Sequence, residues 1–202
     1  YEEEVESMEK IAILADSGCQ IPVDSRENEG IFIAPLTITM EGKSYLDDIE
    51  IHSIDVFKRM EKDDIMVMTS QPSTGSLQEA VQKIKDQGYS HVIGLPIATG
   101  LSSTMNGMKL ACDMLEMPVT LVDTKGTASN QKYLVEVAAK LAREGKSPEE
   151  IKDILEKLVE DSATIIMVPN LEHLKKGGRI TPAVAALAGL LKIVPIMKLN
   201  YS

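Results

Sequence analysis

Short apolar runs alternate along this chain with stretches of helical spacing. Residues 11–15, 65–68, 91–97 and 119–122 are nearly continuous apolar runs of strand length. In most of the intervening stretches, apolar residues recur every three or four positions, which is typical of amphipathic helices. Continuous apolar runs are typical of strands buried on both faces, as in parallel sheets. The alternation therefore predicts an α/β fold, with a mostly parallel sheet and helices on both faces.

The predicted elements divide the chain into three parts. Residues 1–9 form an acidic N-terminal tail, residues 10–160 an N-terminal α/β domain, and residues 161–202 the start of a second α/β domain. Before the division lies a long amphipathic helix with a strong start, in which Ser147 is the cap and a proline and two acids follow. After it, residues 183–191 are predicted to form a helix of small residues.

Breaks in the pattern mark the turns of the first half. The strand region at residues 31–39 is interrupted by Pro35, because proline cannot donate to a sheet. Glu41 and a following glycine predict a turn. A short helix is expected over residues 54–60, with Ser53 as its cap.

Polar loops follow several of the predicted strands, beginning at Asp16, Thr69, Thr99 and Asp123. In parallel sheets, ligands bind at the carboxyl ends of the strands. Residues 69–76 read TSQPSTGS and combine hydroxyl groups with the free N–H groups of a helix start, which suits a phosphate or a carboxylate. The same residue types are also ordinary helix caps, so both interpretations stay open here.

The ionisable residues of these loops have open roles. Asp16 and Asp123 end strands, where a carboxylate can bind a metal, act as a base, cap a helix or tie down a loop. His91 precedes a buried strand and is interpreted as structural. His173 lies beside a basic run that ends at Arg179, and a basic loop on an acidic protein is a candidate for a phosphate group or an acidic partner. A solvated loop is the alternative.

Charge and composition exclude several classes of function. The chain has 21 Lys and Arg against 31 Asp and Glu, a formal net charge of −10, which argues against nucleic acid and anionic membranes as main partners. No apolar run reaches transmembrane length and the N-terminus is acidic, so we expect a cytoplasmic protein without stable membrane insertion. The two cysteines lack metal-site spacing, and nucleotide and hydrolase motifs are absent. No zinc or redox site and no ordinary nucleotide-binding site is therefore indicated.

Several segments together resemble the DegV family of bacterial fatty-acid-binding proteins. In chain order they are residues 13–17, 69–73, 100–102, 123–125 and 171–180. The most specific are the TSQPS run in the second of these and the LKKGGRI run in the last. The resemblance covers the chain from about residue 10 to its end.

The resemblance implies that two α/β domains enclose one long-chain fatty acid, with no cofactor. The residues implied to bind the carboxylate are Thr69, Ser70, Ser102 and Ser103. Arg179 and His173 are implied to lie near the carboxylate or on a partner-facing surface. The protein would not itself be an enzyme. It would present the fatty acid to a fatty acid kinase subunit, which phosphorylates the carboxylate to acyl phosphate.

The chain departs from the family pattern in two respects. Ser103 stands where the family usually has glycine, so a left-handed backbone there would be strained. Family members run on beyond residue 202, so we expect either that the second domain is incomplete in this chain or that the pocket is open. Candidates for the wall of an apolar tunnel are Met105, Met108 and residues 183–196, since methionine adapts to flexible apolar ligands. Ordinary core residues are the alternative, and the sequence does not separate the two.

Two other functions stay open on the sequence. One is a phosphotransfer enzyme of dihydroxyacetone-kinase-like architecture, in which the Thr69 loop would grip a phosphate. The other is a small-molecule sensor or interaction module.

Overall fold

The computed structural model describes residues 9–63, 65–181, 184, 186 and 194–199. The strands are β1 (Ile11–Asp16), β2 (Ile31–Ala34), β3 (Thr37–Met40), β4 (Lys43–Leu46), β5 (Val67–Ser70), β6 (His91–Leu95), β7 (Val119–Leu121), β8 (Ile165–Met167) and β9 (Ile196–Lys198). The helices are α1 (Ser53–Asp63), α2 (Thr74–Asp86), α3 (Thr104–Met114), α4 (Ala128–Arg143), α5 (Pro148–Glu160) and α6 (Glu172–Lys176).

The main sheet of the described residues has four parallel strands in the order β2-β1-β6-β7. In its register, Leu14 of β1 lies opposite Phe32 of β2 and Gly94 of β6. Every residue of β1 is buried, because helices cover both faces of the sheet. The predicted α/β fold with a parallel sheet is therefore confirmed.

Two apolar cores lie on the two faces of this sheet. Ile13 packs in one core with Leu134 of α4 and Ile151 of α5. Its neighbour Leu14 points to the opposite face, where it packs in a second core with residues of α2 and α3, among them Met108. Met108 is fully buried in that core. Met108 is one of the tunnel-wall candidates, and here its side chain fills the space between helix α3 and the sheet.

A second sheet in the described part of the chain is antiparallel, with the order β4-β3-β5. Pro35 ends the parallel strand and redirects the chain into it, which confirms the predicted break. Strands β3 and β4 are joined by a tight turn at Glu41 and Gly42, whose φ angles are 50° and 77°. The prediction that residues 65–68 form a buried strand of the parallel sheet is wrong. The strand is β5, it pairs with β3, and it is mostly exposed.

Helix ends follow their sequence signals closely. At the start of α5, the Ser147 side chain accepts a hydrogen bond from the Glu150 N–H, and the Glu150 side chain accepts one from the Ser147 N–H. Helix α4 ends at Arg143, and Gly145 follows with a φ of 81°. Helix α1 begins at Ser53, the predicted cap.

The last described segments are short. Strands β8 and β9 form an antiparallel pair, and the five-residue helix α6 lies between them in the chain. All of the predicted helix at residues 183–191 except positions 184 and 186, and nearly all of the acidic tail, lie outside the described residues. Among the described helices, none has the length and apolar character needed to cross a membrane.

Candidate functional site

A cleft lies where β5, the turn after β6 and helix α6 meet. Its inner part is a cavity of about 260 Å³. The apolar lining residues are Leu36, Val67, Met68, Ile97, Leu101 and Leu174, and the others are Thr69, Ser70, Ser102, His173, Gly177 and Arg179. Ligand pockets in proteins usually hold roughly 300–1,000 Å³, so the volume of this cavity lies just below that range.

A polar mouth adjoins the apolar cavity and has a volume of about 380 Å³. Its lining residues are Ser70, Gln71, Thr99, Gly100, Leu101, Ser102, Ser103 and Arg179. Cavity and mouth share Ser70, Leu101, Ser102 and Arg179. An apolar chamber that opens through hydroxyl groups beside a guanidinium suits a ligand with one anionic end and an apolar body.

The structure thus brings together all six residues that the sequence singled out, although they come from three separate parts of the chain. Ser70, Ser102 and Arg179 line both the cavity and the mouth. Thr69 and His173 line the cavity alone, and Ser103 lines the mouth alone. Whether these side chains bind a carboxylate stays a prediction.

Strand β5 supplies the first pair of hydroxyl groups. Thr69 lies opposite Ile38 and Ser70 opposite Thr37 in the antiparallel pairing with β3. Thr69 is therefore part of a strand and not of a loop after one. Both residues are exposed, and within the described residues neither hydroxyl group makes a hydrogen bond. Both groups are free to donate to a ligand.

The start of α3 supplies the second pair. Ser102 Oγ accepts a hydrogen bond from the Thr104 N–H at 3.3 Å and lies 2.8 Å from Thr104 Oγ1. Because the buried Thr104 hydroxyl can be the donor, the Ser102 proton can point to a ligand. Ser103 has a φ of −87°. The left-handed conformation that the serine put in doubt is therefore not adopted at Ser103, and its φ is open to any residue.

Two carboxylates fix the turn that carries Ser102. Asp16 accepts a hydrogen bond from the Ile97 N–H at 2.7 Å. Asp123 accepts one from the Thr99 N–H at 3.2 Å and a second from the Thr99 hydroxyl. Of the roles left open by the sequence, both residues thus take that of tying down a loop. The described residues contain no group of metal-binding side chains.

Asp16 performs this role from a fully buried position. It also accepts hydrogen bonds from the Gly18 N–H at 3.0 Å and from Gln131 Nε2 at 3.2 Å. Burial away from water raises the pKa of the Asp16 carboxyl, and these hydrogen bonds partly oppose that rise. Gln131 Oε1 is buried, and no described residue donates a hydrogen bond to it.

Arg179 connects the parts of the cleft. Its Nη2 donates to the Thr69 carbonyl at 3.2 Å, its Nε to the Leu101 carbonyl at 3.3 Å, and its Nη1 to the Gly177 carbonyl at 2.6 Å. All three acceptors are neutral carbonyls, so these contacts leave the guanidinium charge uncompensated. His173 lines the same cavity, and its Nδ1 is buried without a hydrogen-bond partner among the described residues.

Sequence reasoning missed most of the apolar lining. Leu101 and Leu174 lie inside segments that it had matched, and each precedes or follows a predicted site residue closely. Leu36 and Ile97 lie in predicted strand regions, but nothing in the sequence indicated that they line a site, because their contribution to the cavity depends on how the two sheets meet. Met105 was expected in an apolar wall, yet it is not among the residues that line the cavity.

Comparison with known proteins gives a consistent result. A family model described as an uncharacterised protein of the DegV family matches residues 10–201. A DegV domain-containing protein of Staphylococcus aureus is 33% identical over 193 residues, which cover 96% of this chain and 68% of the relative. One from Streptococcus pneumoniae is 29% identical over 192 residues, covering 95% of this chain and 68% of the relative.

Solved structures resemble the fold over the same length. DegV from Bacillus subtilis, described as a fatty acid binding protein, has a TM-score of 0.82 and 30% identity, covering 95% of this chain and 68% of that one. A DegV family protein from Thermus thermophilus, described by its fatty acid binding, has a TM-score of 0.80 and 32% identity with the same coverage. A stearic acid-binding protein from Eubacterium ventriosum has a TM-score of 0.81 and 26% identity, covering 96% of this chain and 67% of that one.

Proposed function

This chain belongs to the DegV family, and we propose that it binds a long-chain fatty acid whose carboxylate lies at the hydroxyl groups of the cleft. The proposed carboxylate ligands are Thr69, Ser70, Ser102 and Ser103. The observation that carries the proposal is the apolar cavity that opens into a hydroxyl-lined mouth beside Arg179. Relatives described as fatty-acid-binding proteins support it.

The chemistry of the lining residues fits both ends of such a ligand. Hydroxyl groups donate to a carboxylate without a fixed counter-charge, and hydrogen bonds to a charged acceptor are stronger than neutral ones. Each buried methylene contributes about 0.8 kcal/mol, so a dozen would contribute roughly 10 kcal/mol before ordering costs. With the carboxylate at the hydroxyl groups between cavity and mouth, a cavity of this size holds the first methylenes of the chain.

In this proposal two units of the chain form the cleft. The unit of residues 10–160 supplies Thr69 and Ser102, and the unit that begins at residue 161 supplies His173 and Arg179. The ligand end that lies at the mouth can be reached from outside, because Ser70 there is exposed. A carboxylate in this position is available to a second protein.

The proposal extends to what that second protein does. The bound fatty acid is presented to a fatty acid kinase, which transfers a phosphoryl group to the carboxylate and forms acyl phosphate. The present chain is then a lipid-binding subunit and not the enzyme, and it needs no cofactor of its own. Arg179 and His173 lie near the reacting end.

Extraction of the purified protein tests the binding function directly. Protein purified from a bacterial host is extracted with organic solvent and the extract is examined by mass spectrometry, with delipidated protein then titrated with palmitate. We expect a stoichiometric long-chain fatty acid in the extract and saturable binding of palmitate. Folded protein that yields no fatty acid and binds no palmitate would refute the proposal.

A separate assay tests the division of labour with a kinase. Protein loaded with palmitate is incubated with ATP and magnesium, alone and with a fatty acid kinase, and acyl phosphate is trapped with hydroxylamine. Product is expected only when the kinase is present. Product from the chain alone would favour the phosphotransfer enzyme that the sequence left open.

A further inference from the structure

Arg179 makes the contacts of a latch across the cleft. We infer that Arg179 is a positioning residue: it holds residues 171–180 closed over the cavity and so sets how fast the ligand enters and leaves. The inference rests on the proposed function for the identity of the ligand. It does not rest on that function for the closure itself, which can be measured without a ligand.

The guanidinium bridges both hydroxyl-bearing segments. Its bond to the Thr69 carbonyl, at 3.2 Å, is made to a proposed ligand residue of β5. Its bond to the Leu101 carbonyl, at 3.3 Å, is made to the residue directly before Ser102. The planar fork of arginine presents several N–H donors in fixed directions, so one side chain can hold two carbonyls at a set separation.

The segment that carries Arg179 depends on this contact. Among the hydrogen bonds of the described residues, only these two of Arg179 join residues 171–180 to the earlier part of the cleft. Helix α6 has five residues, and an isolated helix of that length is unstable in water. Leu171 is buried, while Glu172, Lys175 and Lys176 are exposed.

The local backbone aims Arg179 back at the cleft. Gly178 has a φ of 75°, a left-handed conformation that glycine adopts without strain. The chain reverses there, and the Arg179 N–H donates to the Leu174 carbonyl at 2.8 Å. Leu174 and His173 line the cavity, so the same turn that positions Arg179 also positions the residues that cover the cavity.

This arrangement predicts a kinetic signature that a simple ligand contact would not give. If Arg179 only contacted the carboxylate, its loss would speed dissociation and leave association unchanged. If Arg179 holds residues 171–180 closed over the cavity, its loss opens the cavity more often, and the rates of association and dissociation rise together. Equilibrium affinity then changes less than either rate.

The test compares Arg179→Gln and Arg179→Lys with Lys176→Gln as the matched control. Lys176 is exposed in the same segment, so its replacement removes the same charge without touching the two carbonyls. Lysine at position 179 keeps the charge but loses the fork. Uptake and release of radiolabelled palmitate are measured against lipid vesicles, and hydrogen–deuterium exchange is measured on delipidated protein.

We expect both Arg179 variants to take up and release palmitate roughly tenfold faster, from the loss of two hydrogen bonds. Exchange should rise in residues 171–180 and stay unchanged in β1 and β6, and Lys176→Gln should behave as the wild type.

Unchanged exchange in Arg179→Gln, wild-type rates in Arg179→Lys, or faster release without faster uptake would each overturn the inference. So would exchange that rises throughout the protein. If the wild type itself bound no palmitate, the proposed function would fail, while the exchange measurement would still decide whether the latch exists.

Discussion

The buried carboxylate of Asp16 accepts a hydrogen bond from the backbone N–H of Ile97, 2.7 Å away. Asp16 ends β1, and Ile97 begins the turn that leads to Ser102. One buried side chain therefore joins the centre of the parallel sheet to a proposed ligand-binding residue. The position of Ser102 depends on the sheet as well as on its own loop.

Replacement of Asp16 by asparagine should change how stability depends on pH. Because burial raises the pKa of Asp16 above its ordinary value of 3.8, the native state holds this proton more tightly than the unfolded state. The wild type should therefore lose stability relative to Asp16→Asn as pH rises from that ordinary value to the raised native pKa. Above that range the difference should level off. Urea unfolding at a series of pH values measures this difference in the free energy of unfolding. A difference that stays constant, or a wild type that gains stability over Asp16→Asn as pH rises, would contradict the raised pKa of Asp16.

Gly18 should not tolerate a side chain. A Cβ at this position would lie 2.7 Å from Asp16 Oδ1 and 3.3 Å from Gln131 Oε1, both held in a buried network. We expect Gly18→Ala to lower the free energy of unfolding by roughly 1–3 kcal/mol. Gly75→Ala is the control, since the nearest atom there is Ser73 Oγ at 3.8 Å. Equal effects of the two substitutions in urea unfolding would show that the network is not tightly packed.

Both cysteines should be inert in the native protein. Burial raises the pKa of Cys19 to about 12 and that of Cys112 to about 11, so thiolate is scarce near neutral pH. A colourimetric thiol reagent should react with neither at mildly alkaline pH, and with both after denaturation in urea. Rapid reaction of folded protein would mean that one of the two cores opens readily.

His173 should matter for the ligand and not for the fold. Its Nδ1 is buried without a partner among the described residues, and such a group costs about 1–3 kcal/mol. His173→Phe should leave the ligand-free protein at least as stable and should weaken palmitate binding about tenfold, if a ligand oxygen normally satisfies the nitrogen. Thermal unfolding and calorimetric titration measure the two effects, with exposed Glu172→Gln as the control. Undiminished affinity in His173→Phe would remove this residue from the site.

Local sequence patterns predicted much of the fold because they report burial and helix ends. The continuous apolar run of β1 and the capping residues around Ser147 each carry their own signal. Strand β5 shows that such patterns do not predict which strands pair. Its apolar residues looked like another buried parallel strand, but its partner is β3, and the choice of partner depends on the path that the chain takes after Pro35.

The sequence predicted the hydroxyl groups of the candidate site, but not the hydrogen bonds that hold its segments together. The segments that contain Thr69 and Ser102 were found through their residue types and the family resemblance. Arg179 donates hydrogen bonds to backbone carbonyls, which every residue possesses. The residue types at the acceptor positions therefore could not predict these bonds. The role of Asp16 was left open for a related reason, since a loop tie and a catalytic carboxylate look alike in sequence.

Titration of delipidated protein with palmitate and with its methyl ester tests the central claim most directly. The wild type should bind the acid far more tightly than the ester, because only the carboxylate uses the charged hydrogen bonds at Thr69 and Ser102. In the double variant Thr69→Ala, Ser102→Ala the acid should lose about a hundredfold in affinity and the ester little, while Thr39→Ala, a hydroxyl outside the cavity, should change neither. Equal binding of acid and ester by the wild type, or undiminished binding of the acid by the double variant, would contradict the account.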